Sequence, residues 1–204
     1  MAKYRQNKPY KQLTRYLVLC EGHTEVWYLE KQLDPTKYKV EKSKYNNALK
    51  LVELDAVKKQ QANRYDWNKI YCVFDRDSES NTKEQLQHAN KCIKKSEGNL
   101  IKVFSSPCFE IVFLFNFVIA AREFNNYKEV ENALEKKLKL LKNNKEYKDY
   151  KNQYCINKIC ELTDFKEIGK NAQLIYENLD INDNNWLEIT DGFSEIFKLI
   201  ESNS

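Results

Sequence analysis

The sequence predicts an α/β fold, with a mostly parallel sheet flanked by helices and a helical C-terminal half. Three observations predict it. Short apolar runs at 15–21, 69–75 and 100–105 are separated by segments of helical periodicity. Two of those runs stop at carboxylates, and beyond Pro107 the strand-like runs give way to helical stripes. Strands that alternate with helices form a parallel sheet through right-handed crossovers.

The elements follow in order. Residues 1–12 carry Lys3, Arg5, Lys8 and Lys11 without an apolar period, which predicts a basic arm. A strand at 15–21 is followed by a helix over about 24–33, where Thr24 can cap and Val26, Leu29 and Leu33 share one face. A weaker extended segment covers 38–43. Ala48, Leu49, Val52 and Ala56 then make a helical stripe before the strand at 69–75. A helix over 81–97 stops at Gly98, and a strand follows at 100–105. Residues 109–121 are apolar on nearly all sides, as in a buried helix, although their aromatic and β-branched content also suits a strand. From 127 to 151 the composition turns lysine-rich, while Val130, Leu134, Leu138 and Leu141 keep an apolar stripe. Helical pattern continues at 154–162 and 165–179, and Phe193, Ile196, Phe197 and Ile200 form a last apolar face. The organisation read from this is an arm at 1–12, an α/β domain at 13–120 and a helical part at 121–204 packed on it.

Composition removes several function classes. With 204 residues and 42% hydrophobic content the chain can bury one good core. A net charge of +4, from 34 basic and 30 acidic residues, gives no general basic field, so affinity for nucleic acid rests on local patches. No apolar segment approaches the roughly 20 residues that span a bilayer, and the N-terminus lacks a signal-peptide core, so no membrane partner and a cytoplasmic location are expected. Six cysteines without a C-x-x-C pair read as reduced, small core residues, and with only two histidines, His23 and His88, structural zinc is disfavoured. Four scattered glycines exclude G-x-G-x-x-G and P-loop signatures, and neither G-x-S-x-G nor H-E-x-x-H occurs.

What remains is carboxylate chemistry. The run Tyr16–Cys20 leads into Glu21-Gly22-His23-Thr24-Glu25, and Ile70–Phe74 leads into Asp75-Arg76-Asp77. Ligands of open α/β sheets bind where parallel strands end. In extended backbone Asp75 and Asp77 point to one face, and Glu21 reaches the same region if its strand is the neighbour. Oxygen-only donors favour a hard cation, Mg2+ or Mn2+, suited to phosphate chemistry. Glu21 is the candidate general acid or base, since a glutamate facing several acids gains the raised pKa that proton transfer needs. Glu25 lies one turn into the next helix, either in the acid cluster or as a partner of the helix dipole. Glu110, at the head of an apolar segment, reads as a first-turn dipole partner or a further metal ligand. His23 is expected to be exposed without a role, and Arg76 to face away in a structural ion pair.

Glu21-Gly22-His23-Thr24-Glu25 after a strand, then Phe74-Asp75-Arg76-Asp77, then Ser106-Pro107-Cys108-Phe109-Glu110 before an apolar helix, resembles the RloB-like proteins of the TOPRIM superfamily. The resemblance spans about residues 14–120, with weaker similarity to the end. It implies a TOPRIM-like, Rossmann-like fold, with Glu21 as general acid or base and Asp75 and Asp77 on magnesium. It also implies a nuclease effector of bacterial anti-phage defence, working on tRNA or other RNA, or on DNA, beside an ATPase partner; self-association is left open. The expected set is therefore Glu21, Glu25, Asp75 and Asp77 for catalysis, and Glu21, Asp75, Asp77 and Glu110 for metal. The lysine-rich stretch at 128–151 or the arm at 3–11 would guide the phosphate backbone. Two other readings compete: a non-catalytic binding module of a defence complex, and a D-x-D phosphatase, which usually carries its motif on the first strand.

Overall fold

The computed structural model describes residues 15–61, 67–76, 81–117, 123–141, 153–162, 164–182, 185–189 and 193–201. Expectations for the arm at 1–12, for Asp77, for 118–121 and for 142–151 fall outside the described residues.

Four parallel strands and one antiparallel edge strand form a sheet in the order β2-β1-β3-β4-β5. These are β1 (Tyr16–Cys20), β2 (Tyr38–Lys42), β3 (Lys69–Asp75), β4 (Leu100–Ser106) and β5 (Phe193–Ser194). Leu17, Val18, Leu19 and Cys20 of β1 are fully buried, as are Cys72, Val73 and Phe74 of β3. Such continuous apolar runs are what a parallel sheet covered on both faces requires. Register sets Cys20 opposite Val73, and Asp75 opposite Ser105.

The helices are α1 (His23–Gln32), α2 (Ala48–Lys50), α3 (Val57–Gln61), α4 (Lys83–Lys94), α5 (Ile111–Leu114), α6 (Tyr127–Leu141), α7 (Gln153–Cys160), α8 (Phe165–Asn178) and α9 (Phe197–Glu201). Val26, Leu29 and Leu33 are buried as the stripe on α1 requires, and Val130, Leu134 and Leu138 line the buried side of α6. Gly98 turns the chain out of α4 with φ +89°, a value that glycine adopts without penalty.

Several expectations change. The N-cap of α1 is Gly22 rather than Thr24. The stripe at 48–56 is helical, but Leu51–Ala56 winds as a π-helix between α2 and α3. The helix expected from Asn81 starts at Lys83 behind a Thr82 cap, which accepts from the Gln85 N–H at 3.3 Å. Among the described residues of the apolar stretch after Pro107, the helix is the short α5, and the chain turns again at 115–117. Phe193 belongs to β5, whose antiparallel pairing with β4 was not apparent from two residues.

Candidate active site

Parallel pairing carries the acid-terminated strands to one edge of the sheet. The Glu21 N–H donates to the Val73 carbonyl at 3.1 Å, and the Arg76 N–H to the Ser105 carbonyl at 3.0 Å. These bonds extend the ladders of β1, β3 and β4 one step past the strands and fix where Glu21 and Asp75 emerge. The turn after β4 bonds Ile111 to Cys108, Val112 to Phe109 and Phe113 to Glu110, which seats Glu110 at the head of α5.

Glu21, Glu25 and Glu110 are 6%, 5% and 8% exposed. Burial pushes the Glu25 carboxyl up to about 7, with the negative charges of Glu110 and Glu21 adding to it and backbone hydrogen bonds at Glu25 and Gly22 opposing it. Burial also raises Asp75 well above the usual carboxylate range, reinforced by Glu25, Glu110 and Glu21. Glu21, Glu25, Asp75 and Glu110 thus lie within electrostatic reach of one another, while among the described residues no three of them bring carboxylate oxygens within 4.8 Å of one another. Asp77 lies outside the described residues.

Local structure holds each acid in place. The Gly22 N–H donates to Glu25 Oε1 at 3.2 Å. A Cβ on Gly22 would lie 2.6 Å from Glu25 Oε2, so glycine is needed for this carboxylate to fold back over the turn. Asn81 Nδ2 donates to both oxygens of Glu21, at 3.2 and 3.1 Å, and to the Asp75 carbonyl at 3.1 Å. Its Oδ1 accepts from the Ala48 N–H at 2.8 Å, tying the head of α2 to the same point. Sequence reasoning missed Asn81, since nothing local marks a residue whose partner stands sixty positions earlier. Asp75 accepts a backbone hydrogen bond from Phe109, while its buried Oδ1 has no hydrogen-bond partner among the described residues.

The neighbouring residues narrow the chemistry. Burial, and then the acids beside them, raises the thiols of Cys20 and Cys108 well above the ordinary value, so neither is a ready nucleophile. His23 is exposed as expected, with its ring stacked on Trp27 at 5.6 Å between centroids. The Arg76 guanidinium donates to the Ile189 carbonyl at 2.7 Å and the Asn125 carbonyl at 3.5 Å, anchoring the end of β3 to the C-terminal half.

A hard divalent cation fits this donor set. Its carboxylate donors are all oxygens, and among the described residues Asp75 Oδ1 is a buried acceptor without a hydrogen-bond partner. A cation would also relieve the mutual repulsion that raises Asp75 and Glu25. Among the described residues no helix is long and apolar enough to cross a membrane.

Comparison with known proteins bears on the whole chain. A family model described as RloB-like protein matches residues 16–202, well past the 14–120 over which the motifs were apparent. No curated protein and no solved structure matches.

Proposed function

The chain belongs to the RloB-like protein family, and on that premise we propose that it is a divalent-metal-dependent phosphodiesterase, a TOPRIM-type nuclease acting on RNA or DNA. One observation carries the reading: Glu21, Glu25, Asp75 and Glu110 lie at or just beyond the carboxyl ends of β1, β3 and β4 within electrostatic reach of one another, and among the described residues Asp75 Oδ1 has no hydrogen-bond partner.

Glu21, Asp75 and Glu110 are the residues to hold Mg2+ or Mn2+. Bound there, the ion neutralises the phosphate and polarises its phosphorus–oxygen bonds. Phosphodiester hydrolysis also needs a group that takes a proton from the attacking water and one that returns a proton to the leaving oxygen. The resemblance casts Glu21 in that role. Glu25 has a proton affinity matched to transfer near neutral pH, about 7, and Asn81 holds Glu21 by both oxygens, which favours Glu25 for proton transfer. Asn81 keeps Glu21 and the end of β3 in fixed relation, as catalysis by positioning requires.

The wider role rests on the family resemblance alone. In it the nuclease is a cytoplasmic effector of anti-phage defence, triggered by or held with an ATPase. Substrate binding through lysines of the α6 stretch would weaken steeply with salt.

The test is cleavage of labelled total tRNA, plasmid DNA and single-stranded DNA with Mg2+ or Mn2+, beside Glu21→Ala and Asp75→Ala. Cleavage by the wild type and by neither variant is expected, and the substrate cut names the class. Absence of cleavage, both alone and with the ATPase partner, contradicts the proposal in favour of a non-catalytic binding module.

A further inference from the structure

A second constellation lies away from the acid cluster, where the π-helix at Leu51–Ala56 meets α4. His88 and Cys92 are four residues apart and therefore share one face of α4, and Glu53 faces them from the π-helix. Cys92 Sγ donates to Glu53 Oε1 at 3.5 Å, and His88 Nε2 lies 3.3 Å from the same oxygen. The three donor atoms all lie within 4.8 Å of one another.

We propose that Glu53, His88 and Cys92 form a binding site for a borderline transition-metal ion of the zinc class, clamping the π-helix to α4. Three arguments meet here. Sulfur, imidazole and carboxylate together are donors for zinc, whereas magnesium and calcium take oxygen. With metal–sulfur bonds of about 2.3 Å and metal–nitrogen or metal–oxygen bonds of about 2.0–2.2 Å, the edges of a tetrahedral site measure about 3.3–3.7 Å. The two measured separations fall within that range. The site is also accessible, with the side chains of His88 and Glu53 58% and 38% exposed, and three protein ligands leave a fourth position for water. Cys92 would lose its thiol proton to solvent as the metal binds.

The clamp would brace the catalytic edge indirectly. Asn47, which caps α2, donates through its side chain to Gln85 of α4 at 3.2 Å, and Asn81 bonds the head of α2. The same packed unit that the ion would tie therefore carries the residue that holds Glu21.

Titration of the full chain with Co2+ as a spectroscopic stand-in for zinc tests the site. A thiolate-to-cobalt charge-transfer band is expected, displaced by Zn2+, lost in Cys92→Ser and His88→Ala, and retained in Asp75→Ala. Zn2+ should also raise the Tm of the wild type and leave that of His88→Ala unchanged. Absence of the band, or a band that survives Cys92→Ser, overturns the site and assigns the trio to a hydrogen-bonded surface contact. Cys20 and Cys108 lie beside the acid cluster, so it is loss of the band in Cys92→Ser that assigns it to this site, and either outcome leaves the nuclease reading standing.

Discussion

Two acids of this molecule, the buried Glu195 and the half-buried Asp75, are treated in opposite ways. Just after β5, beside β4, Glu195 is 1% exposed and is met by lysines: Lys198 Nζ lies 2.8 Å away and Lys102 Nζ 3.6 Å. Its other oxygen accepts the Phe104 N–H at 3.0 Å, and the Lys102 ammonium also sits 3.8 Å from the centroid of the Trp186 ring. At the carboxyl ends of β1, β3 and β4, Asp75 faces the charges of further acids, and among the described residues one of its buried oxygens has no hydrogen bond. Burial of a charge is costly in both places, and at Glu195 it is compensated by Lys102 and Lys198. The Glu195 region is built for stability. The Asp75 region holds a destabilising arrangement that a bound cation would reverse, as sites of function commonly do.

Substitution at the two acids should separate these roles. Asp75→Ala is expected to lower phosphodiester cleavage by on the order of a thousandfold, or about 4 kcal/mol of barrier. The companion Asp75→Asn should raise the Tm of metal-free protein at pH 8, because it removes a repelled buried charge; thermal melts in a chelator check this. Glu195→Ala should do the reverse, lowering stability by about 3–5 kcal/mol because the buried Lys102 ammonium loses this carboxylate, while metal affinity at the acid cluster holds. Denaturant melts and metal titration on the same sample read both effects.

Acidity gives a smaller effect of defined sign. Glu25 is raised in the folded chain to about 7 from an ordinary 4.5, so the stability tied to its protonated form is complete below about pH 4.5 and is lost as pH rises through about 7. Asp75 is shifted in the same direction. The Tm of metal-free protein should therefore fall by several degrees between pH 5 and pH 8, and Mn2+ should restore most of the loss. A metal-free Tm that is flat across this window would argue against a repelling cluster.

The smallest effect on stability is expected at Gly22. In Gly22→Ala the new Cβ would meet only the tip of the Glu25 side chain, which can swing away, so Tm should change little. Cleavage should nonetheless drop by roughly tenfold to a hundredfold, because the displaced group is the proposed proton carrier. Steady-state rates beside thermal melts test this split.

How much could be read from the sequence followed from the range of the interactions involved. Leu17–Cys20 and Ile70–Phe74 announced buried strands by continuous apolarity, and Glu21 and Asp75 stood out because each broke such a run. Glu110 was marked by the Ser-Pro turn before it. Thr24 was read as a cap because it is a good capping residue, but the fold-back of Glu25 onto the Gly22 N–H set the start of α1. The aromatic stretch after Phe109 was read as a longer helix, since uniform apolarity cannot show where a buried chain turns. Asn81, the Glu195–Lys102 pair and the Glu53–His88–Cys92 trio stayed hidden because their partners are far apart in the chain. The π-helical winding that carries Glu53 leaves no periodic signal of its own.

Calorimetric titration of the metal-free chain with Mn2+ at pH 8 tests the central claim most directly, with Asp75→Asn and Glu110→Gln measured beside the wild type. The account predicts binding by the wild type that is weakened at least roughly tenfold in each variant, since each removes an oxygen ligand. Binding of equal strength in all three proteins would contradict it, because the cluster around Asp75 would then have no part in holding the ion.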